Sequence, residues 1–278
     1  MSPVGPMTPM NPEPPRWRWA RAYMRLRRAE GRGAGGEAEL LALPYLTAGP
    51  LAGQWAVRAR TFDAFVRRVV SPLAKERARP LAVLDLGAGN GWLSARLARL
   101  GHRCVALDLR LDDADGLTAG APFRRHLPRM FSRVSSSFDA LPFGNALFDL
   151  VVFDASLHLA EDLPRVLAEA ARATAHGGRV AILDSPFYAR SRAGEAMSEE
   201  KRRDTARMFR DLAEDLLALA PVEYLTPESL ATAAAPAGLS FERSRVLYPL
   251  AYETRGLRAR VLGKRPPSRF DLWVARRA

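Results

Sequence analysis

Val83-Leu84-Asp85-Leu86-Gly87-Ala88-Gly89-Asn90-Gly91-Trp92-Leu93 is the stretch on which the reading of this chain turns. An apolar run ends in a carboxylate, three glycines alternate with other residues, and an amphipathic stretch opens at Trp92. Glycine allows a sharp turn at the end of a strand and lets a ligand approach the backbone. Amides at a helix start carry partial positive charge and favour a carboxylate or another polar group. Asp85 suits a ligand ammonium. The spacing is G-x-G-x-G, not the G-x-G-x-x-G of dinucleotide binders.

Outward from this loop the hydrophobic period alternates. Residues 103–109 form a second apolar run holding Asp108, seventeen residues after Gly91. A carboxylate at the tip of that strand accepts the two hydroxyls of a ribose. Further runs at 147–153 and 178–183 alternate with helical stretches at 92–100 and 162–175. That order predicts a parallel sheet covered on both faces, with the glycine loop at its carboxyl edge. Upstream, Trp55, Ala59, Phe62, Val66, Val69 and Leu73 recur at helical spacing. They predict a helix over 52–77 with Arg58, Arg60, Arg67 and Arg68 turned to water. Downstream the pattern predicts a long amphipathic helix over 195–219 and a helix capped by Thr226 with Pro227 in its first turn. Strands over 239–247 and 270–276 follow.

The 278 residues are 48% apolar, enough for a sizeable core. No apolar window reaches the length of a membrane span. The first fifteen residues carry six prolines and no apolar segment, so they read as a disordered tail and not an export signal. A single cysteine, Cys104, excludes a disulfide within the chain and falls inside the second strand as core. No Cys/His cluster has metal spacing, so no metal is expected. Cytoplasmic location follows as the default. The net charge of +12 comes with only three lysines among 42 basic residues, a compositional bias that weakens any argument from charge to nucleic acid.

Asp85 to Gly91 resembles motif I of class I S-adenosylmethionine-dependent methyltransferases, and Asp108 resembles their ribose-binding acid. Phe138-Asp139-Ala140-Leu141-Pro142-Phe143 with Phe148-Asp149-Leu150-Val151-Val152 is similar to the "LPF…FD-x-V" segment of the small-molecule group that includes ubiquinone and menaquinone biosynthesis enzymes. Ser156-Leu157-His158-Leu159 resembles their "LHH" motif and His176-Gly177-Gly178-Arg179 their "PGG" turn. The resemblance covers about 81–184. It implies an α/β, Rossmann-like, seven-stranded and mostly parallel sheet with helices on both faces and an antiparallel last strand. It also implies S-adenosyl-L-methionine as cofactor, held by Asp85, Gly87, Ala88, Gly89, Asn90, Gly91, Asp108, Leu109, Ser137, Phe138 and Asp154. Ser137 stands where the family usually has an acid toward the adenine amino group, and Asp139 lies two residues along as a substitute.

Methyl transfer is an in-line displacement that rewards alignment and exclusion of water. His158 and Asp154, after and at the end of the fourth apolar strand of the resemblance, are the candidate proton acceptors. His102, His126 and His176 fall in turns or in an Arg-rich stretch. Phe187 and Tyr188 are candidate pocket walls. The segments 185–221 and 248–269 exceed what the core fold needs and read as acceptor or lid elements. Residues 16–28 alternate arginine with Trp17, Trp19 and Tyr23. Covering the cofactor pocket is the first reading for them, ahead of binding nucleic acid or a membrane surface. The organisation expected is a tail and basic/aromatic helix over 1–36 and a methyltransferase domain over 37–278, with its cofactor core at about 81–184 and acceptor elements at about 185–269. The function expected is methyl transfer to an unidentified small-molecule acceptor. The alternatives are an RNA or other nucleic-acid methyltransferase, or a catalytically inactive cofactor-binding module.

Overall fold

The computed structural model describes residues 14–33 and 35–278, so the tail expected at the N-terminus lies outside the described residues save for its last two. In chain order the elements are α1 (Pro15–Ala29), α2 (Gly36–Ala42), α3 (Ala52–Phe65), α4 (Ser71–Arg77), β1 (Ala82–Leu86), α5 (Trp92–Arg99), β2 (Arg103–Asp108), β3 (Ser132–Ser135), β4 (Phe148–Asp154), α6 (Leu163–Ala173) and β5 (Thr174–Leu183). Then come α7 (Ser191–Met208), α8 (Ala213–Leu217), α9 (Pro227–Ala234), β6 (Phe241–Ser244), α10 (Leu250–Glu253), α11 (Arg255–Val261) and β7 (Leu272–Arg276).

The seven strands form one sheet in the order β3-β2-β1-β4-β5-β7-β6. β1 runs parallel to both β2 and β4, and β7 runs antiparallel to both β5 and β6. The fold is therefore the Rossmann-like α/β architecture with an antiparallel last strand. Chain order reverses between β1 and β4, and at such a switch point the loops leaving the two strands diverge and open a crevice. β4 is buried along its whole length, as a central strand covered on both faces requires. Phe65, Leu73, Leu93 and Leu97 cover one face, and Val166, Leu167 and Ala170 of α6 cover the other. Asp162 caps α6 by accepting from the Arg165 amide. Thr226 and Ser229 close a reciprocal capping box at the start of α9.

The structure departs from the sequence reading in three elements. β3 was not foreseen: its Ser-Arg-Val-Ser is a polar edge strand, with no apolar run to announce it. The helix over 52–77 is continuous but widens into a π turn at Val66–Val70. The single helix expected over 195–219 breaks between Met208 and Ala213, where Leu212 folds under and is buried.

Candidate functional site

The loop after β1 is shaped by contacts that allow little substitution. Gly87 has φ +73°, and a Cβ there would stand 2.4 Å from the Cβ of Ser156. Gly87→Ala is expected to cost about 2–4 kcal/mol through strain and overlap, measured as a fall in the denaturation midpoint. A companion Ser156→Gly exchange is expected to return the steric part. The amides were expected to receive a carboxylate, and the structure corrects this. Gly87 and Ala88 both donate to the Leu107 carbonyl at 2.8 and 3.0 Å, and Gly89 donates to Asp108 Oδ2 at 2.7 Å. Those donors are spent inside the protein. Gly91 begins α5 and packs on the Phe131 ring, without lining the cavity described next.

At the carboxyl ends of β1, β2 and β4 lies a cavity of about 1150 Å³ of empty space including its mouth. Asp85, Gly87, Ala88, Gly89, Asn90, Asp108, Leu109, Ser137, Phe138 and Asp154 all line it. Asp85 is wholly buried; Ser94 Oγ donates to its Oδ2 at 2.9 Å, and its Oδ1 has no partner. Burial first, and then the charge of Asp154, push its carboxyl up to about 8. Asp108 accepts from the Gly89 and Arg110 amides, one on each oxygen, and burial raises it as well. Phe138 stands edge-on to Phe153 of β4. Asp139 lines the cavity as well; its carboxylate holds Arg16 of α1 at 2.6 Å, and Arg16 also reaches Glu161 at 3.0 Å.

Arg58, expected to face water, instead lines the cavity. Its Nη2 meets Asp154 Oδ2 at 2.7 Å and its Nε lies 3.4 Å from Asp184 Oδ2. Its guanidinium stacks over the Trp55 and Trp92 rings at 4.5 and 5.3 Å. Asp154 is thus an ion-pair partner of Arg58. Burial raises both carboxyls, Asp184 to about 7. The signal for Arg58 lay in the two acids: buried carboxylates at strand ends need a cation, and helical spacing alone does not show which arginine supplies it.

His158 lies in a turn, Leu157–Leu159, and is not among the residues lining the cavity. Its Nδ1 is buried without a partner, and burial with the charges of Lys201, Arg27 and Arg58 pushes the imidazole down to about 3. A group that weak is poorly matched to proton abstraction near neutrality, which moves the general-base role away from it. Cys104 is buried in β2. Among the described residues no group of His, Cys, Asp and Glu is placed to hold a metal ion, and no helix is long and apolar enough to cross a membrane.

Arg16, Trp19, Tyr23 and Arg27 of α1 line the cavity, in line with the first reading of residues 16–28. Sequence reasoning missed other walls, namely Arg32, Trp55 and Trp92. The basic helix is tied down by acids: Arg25 by Asp211, Arg27 by Asp115 and Arg28 by Asp113. The expected lid is corrected in part. Segment 185–221 supplies only Leu219 and Pro221 to this cavity, and 248–269 supplies none. Phe187, stacked on Trp273, and Tyr188 line a different cavity together with residues 263–267 and Arg269.

A family model described as a methyltransferase domain matches residues 84–182. A malonyl-[acyl-carrier protein] O-methyltransferase from Halorhodospira halophila is 36% identical over 115 residues, which is 41% of this chain and 38% of that protein. A demethylmenaquinone methyltransferase from Thermobifida fusca is 38% identical over 104 residues, 37% of this chain and 42% of that protein. The chain thus spans less than half the length of these curated relatives. Among solved structures, a 1,6-didemethyltoxoflavin-N1-methyltransferase from Burkholderia thailandensis, with bound 1,6-didemethyltoxoflavin and S-adenosylhomocysteine, aligns at TM-score 0.53 and 18% identity, over 98% of this chain and 93% of that one. At that identity the likeness is one of fold. The stretch from β1 to β5, with its glycine loop at the switch point, thus has the Rossmann-like architecture and is where the methyltransferase-domain model matches this chain.

Proposed function

We propose that the chain is an S-adenosylmethionine-dependent methyltransferase acting on a small-molecule acceptor. The observation that carries this reading is that Asp85 and Gly87 at the end of β1 and Asp108 at the end of β2 meet around one cavity at the switch point. The residues fit the cofactor. Asp85 offers a buried, unpartnered oxygen to an ammonium. Asp108 keeps lone pairs for ribose hydroxyls while its loop contacts hold it still. Leu109 and Phe138 offer apolar surface to a base, and Ser137 a hydroxyl. When bound, the cofactor supplies a methyl group on a positively charged sulfur.

The acceptor faces the rest of the wall. Trp55 and Trp92 exclude water there, and Arg58 fixes Asp154 in place. We assign the uptake of the acceptor's proton to Asp154, whose carboxyl shares one guanidinium with Asp184. The cofactor core of this reading is about 81–184 within a domain of 37–278, with acceptor elements in about 185–269. α1, from outside that span, adds a wall to the cavity. Cytoplasmic location belongs to the same proposal. Nucleic acid is the less favoured acceptor, because Arg16, Arg25, Arg27 and Arg28 are already engaged by carboxylates.

Calorimetry tests the reading. S-adenosylmethionine and S-adenosylhomocysteine are expected to bind and NAD not to bind. Asp108→Ala is expected to weaken both by about 100-fold, since two hydrogen bonds to a charged group are lost. Unchanged affinity in that variant removes the ribose assignment, and no binding by the parent chain removes the function. A screen of acceptors with a labelled methyl group then identifies the substrate.

A further inference from the structure

The charges lining the cavity do not cancel. Arg16 is matched by Asp139 and Glu161, Arg27 by Asp115 and Glu30, and Arg58 by Asp154 and Asp184. Arg110 is matched by Asp112 at 3.3 Å, with Asp108 at 3.7 Å. Two groups remain without an ion-pair partner among the described residues. Asp85 accepts only from Ser94, and Arg32 donates to the neutral side-chain oxygen of Gln54 at 2.6 Å, with the charges of Asp115 and Glu30 acting on it from beyond ion-pair distance. Arg32 is 9% exposed, lies over the Trp55 ring at 5.4 Å, and has a buried Nε with no partner. Burial, helped by the like charges of Arg27 and Arg58, pushes it down to about 10, far below the range usual for a guanidinium. A buried cation with no carboxylate in direct contact is costly, so the position calls for one.

The backbone holds Arg32 firmly. Gly33, next in sequence, has φ +74°, and a Cβ there would lie 2.4 Å from the Ala114 carbonyl oxygen. Gly33 is thereby pressed against the loop that follows β2. The amides that would ordinarily draw a carboxylate are also accounted for, because Gly87, Ala88 and Gly89 donate within the protein.

We propose that Arg32 and Asp85 form a receptor for an α-amino-acid zwitterion, with Arg32 taking the carboxylate and Asp85 the ammonium of the cofactor's amino-acid end. The inference rests on the methyltransferase reading and adds to it a binding residue outside the matched span of 84–182. It makes affinity depend on the amino-acid end separately from the nucleoside end.

The experiment compares S-adenosylhomocysteine with 5′-methylthioadenosine, the same thioether nucleoside without the amino acid, by calorimetry in the absence of any acceptor. Arg32→Gln is expected to weaken S-adenosylhomocysteine roughly 10- to 100-fold and to leave 5′-methylthioadenosine unchanged. Arg32→Lys, which keeps the charge, is expected to retain part of the affinity. Unchanged 5′-methylthioadenosine binding also shows that the cavity is intact. Equal weakening of both ligands overturns the proposal in favour of a wall that merely packs. Unaltered S-adenosylhomocysteine binding overturns it in favour of an anion on the acceptor. Failure of the parent chain to bind S-adenosylhomocysteine sinks the methyltransferase reading itself, a result distinct from both.

Discussion

Asp85→Asn is expected to strip the chain of most of its affinity for S-adenosylmethionine while raising its melting temperature at pH 8. The two effects share one cause. Asp85 is wholly buried and its carboxyl is pushed up to about 8, against about 3.9 in an unfolded chain. A folded-state value raised in this way means that the native protein holds the proton more tightly. Its stability is full below about pH 4 and drains as pH rises through 8, at ~1.4 kcal/mol per pH unit. Asparagine keeps an oxygen for Ser94 Oγ and has no proton to lose, so that slope disappears. Melting curves at pH 5 and pH 8 check it: the variant gains several degrees over the parent at the higher pH and little at the lower. A ligand ammonium, in contrast, needs the ionised carboxylate. Affinity of the parent is therefore expected to climb about tenfold per pH unit toward pH 8, and that of the variant to stay flat and about 100-fold lower at pH 8. A parent affinity that does not move with pH would remove Asp85 from the ammonium contact.

Arg58→Met carries the second large effect. The substitution keeps an apolar stem against Trp55 and Trp92 but leaves Asp154 and Asp184 facing each other without a cation. Breaking a buried pair by removing one partner costs about 3–5 kcal/mol. Both carboxyls are already raised by burial, and losing the guanidinium raises them further. The destabilisation is therefore small where both stay protonated, near pH 4, and complete by pH 8. Urea midpoints at those two pH values are the measurement. Adding Asp154→Asn and Asp184→Asn to Arg58→Met is expected to return most of the loss at pH 8. A variant as stable as the parent at pH 8 would show that the guanidinium does not hold the two acids.

Much of the scaffold was written locally. The glycine loop, Asp108, the apolar run of β4 and the Thr226 cap all depend on neighbours within a few residues, so spacing reveals them. Arg58 was misread because a helical wheel sees only its own helix. Its partners are Asp154, 96 residues on, and Asp184, which only the pairing of β4 with β5 brings beside it. The loop amides were misread for a related reason: the Leu107 carbonyl that occupies two of them belongs to the adjacent strand. β3 carries one valine among polar residues, and its place is decided by pairing with β2 alone. His158 looked poised for chemistry by motif, and its burial among positive charges made it a poor base.

The way α1 is fastened also bears on where the chain can be cut. Residues 1–36 hold seven arginines and two glutamates, or +5 of the total +12. A fragment starting at residue 37 retains every residue of the matched span yet sheds Arg16, Arg27 and Arg32 from the wall. Asp115, Asp139 and Glu161 then stand around the mouth without those counter-ions, and the local electric field becomes more negative. Such a trimmed core would keep its fold-family signature while repelling anionic visitors that the intact chain admits.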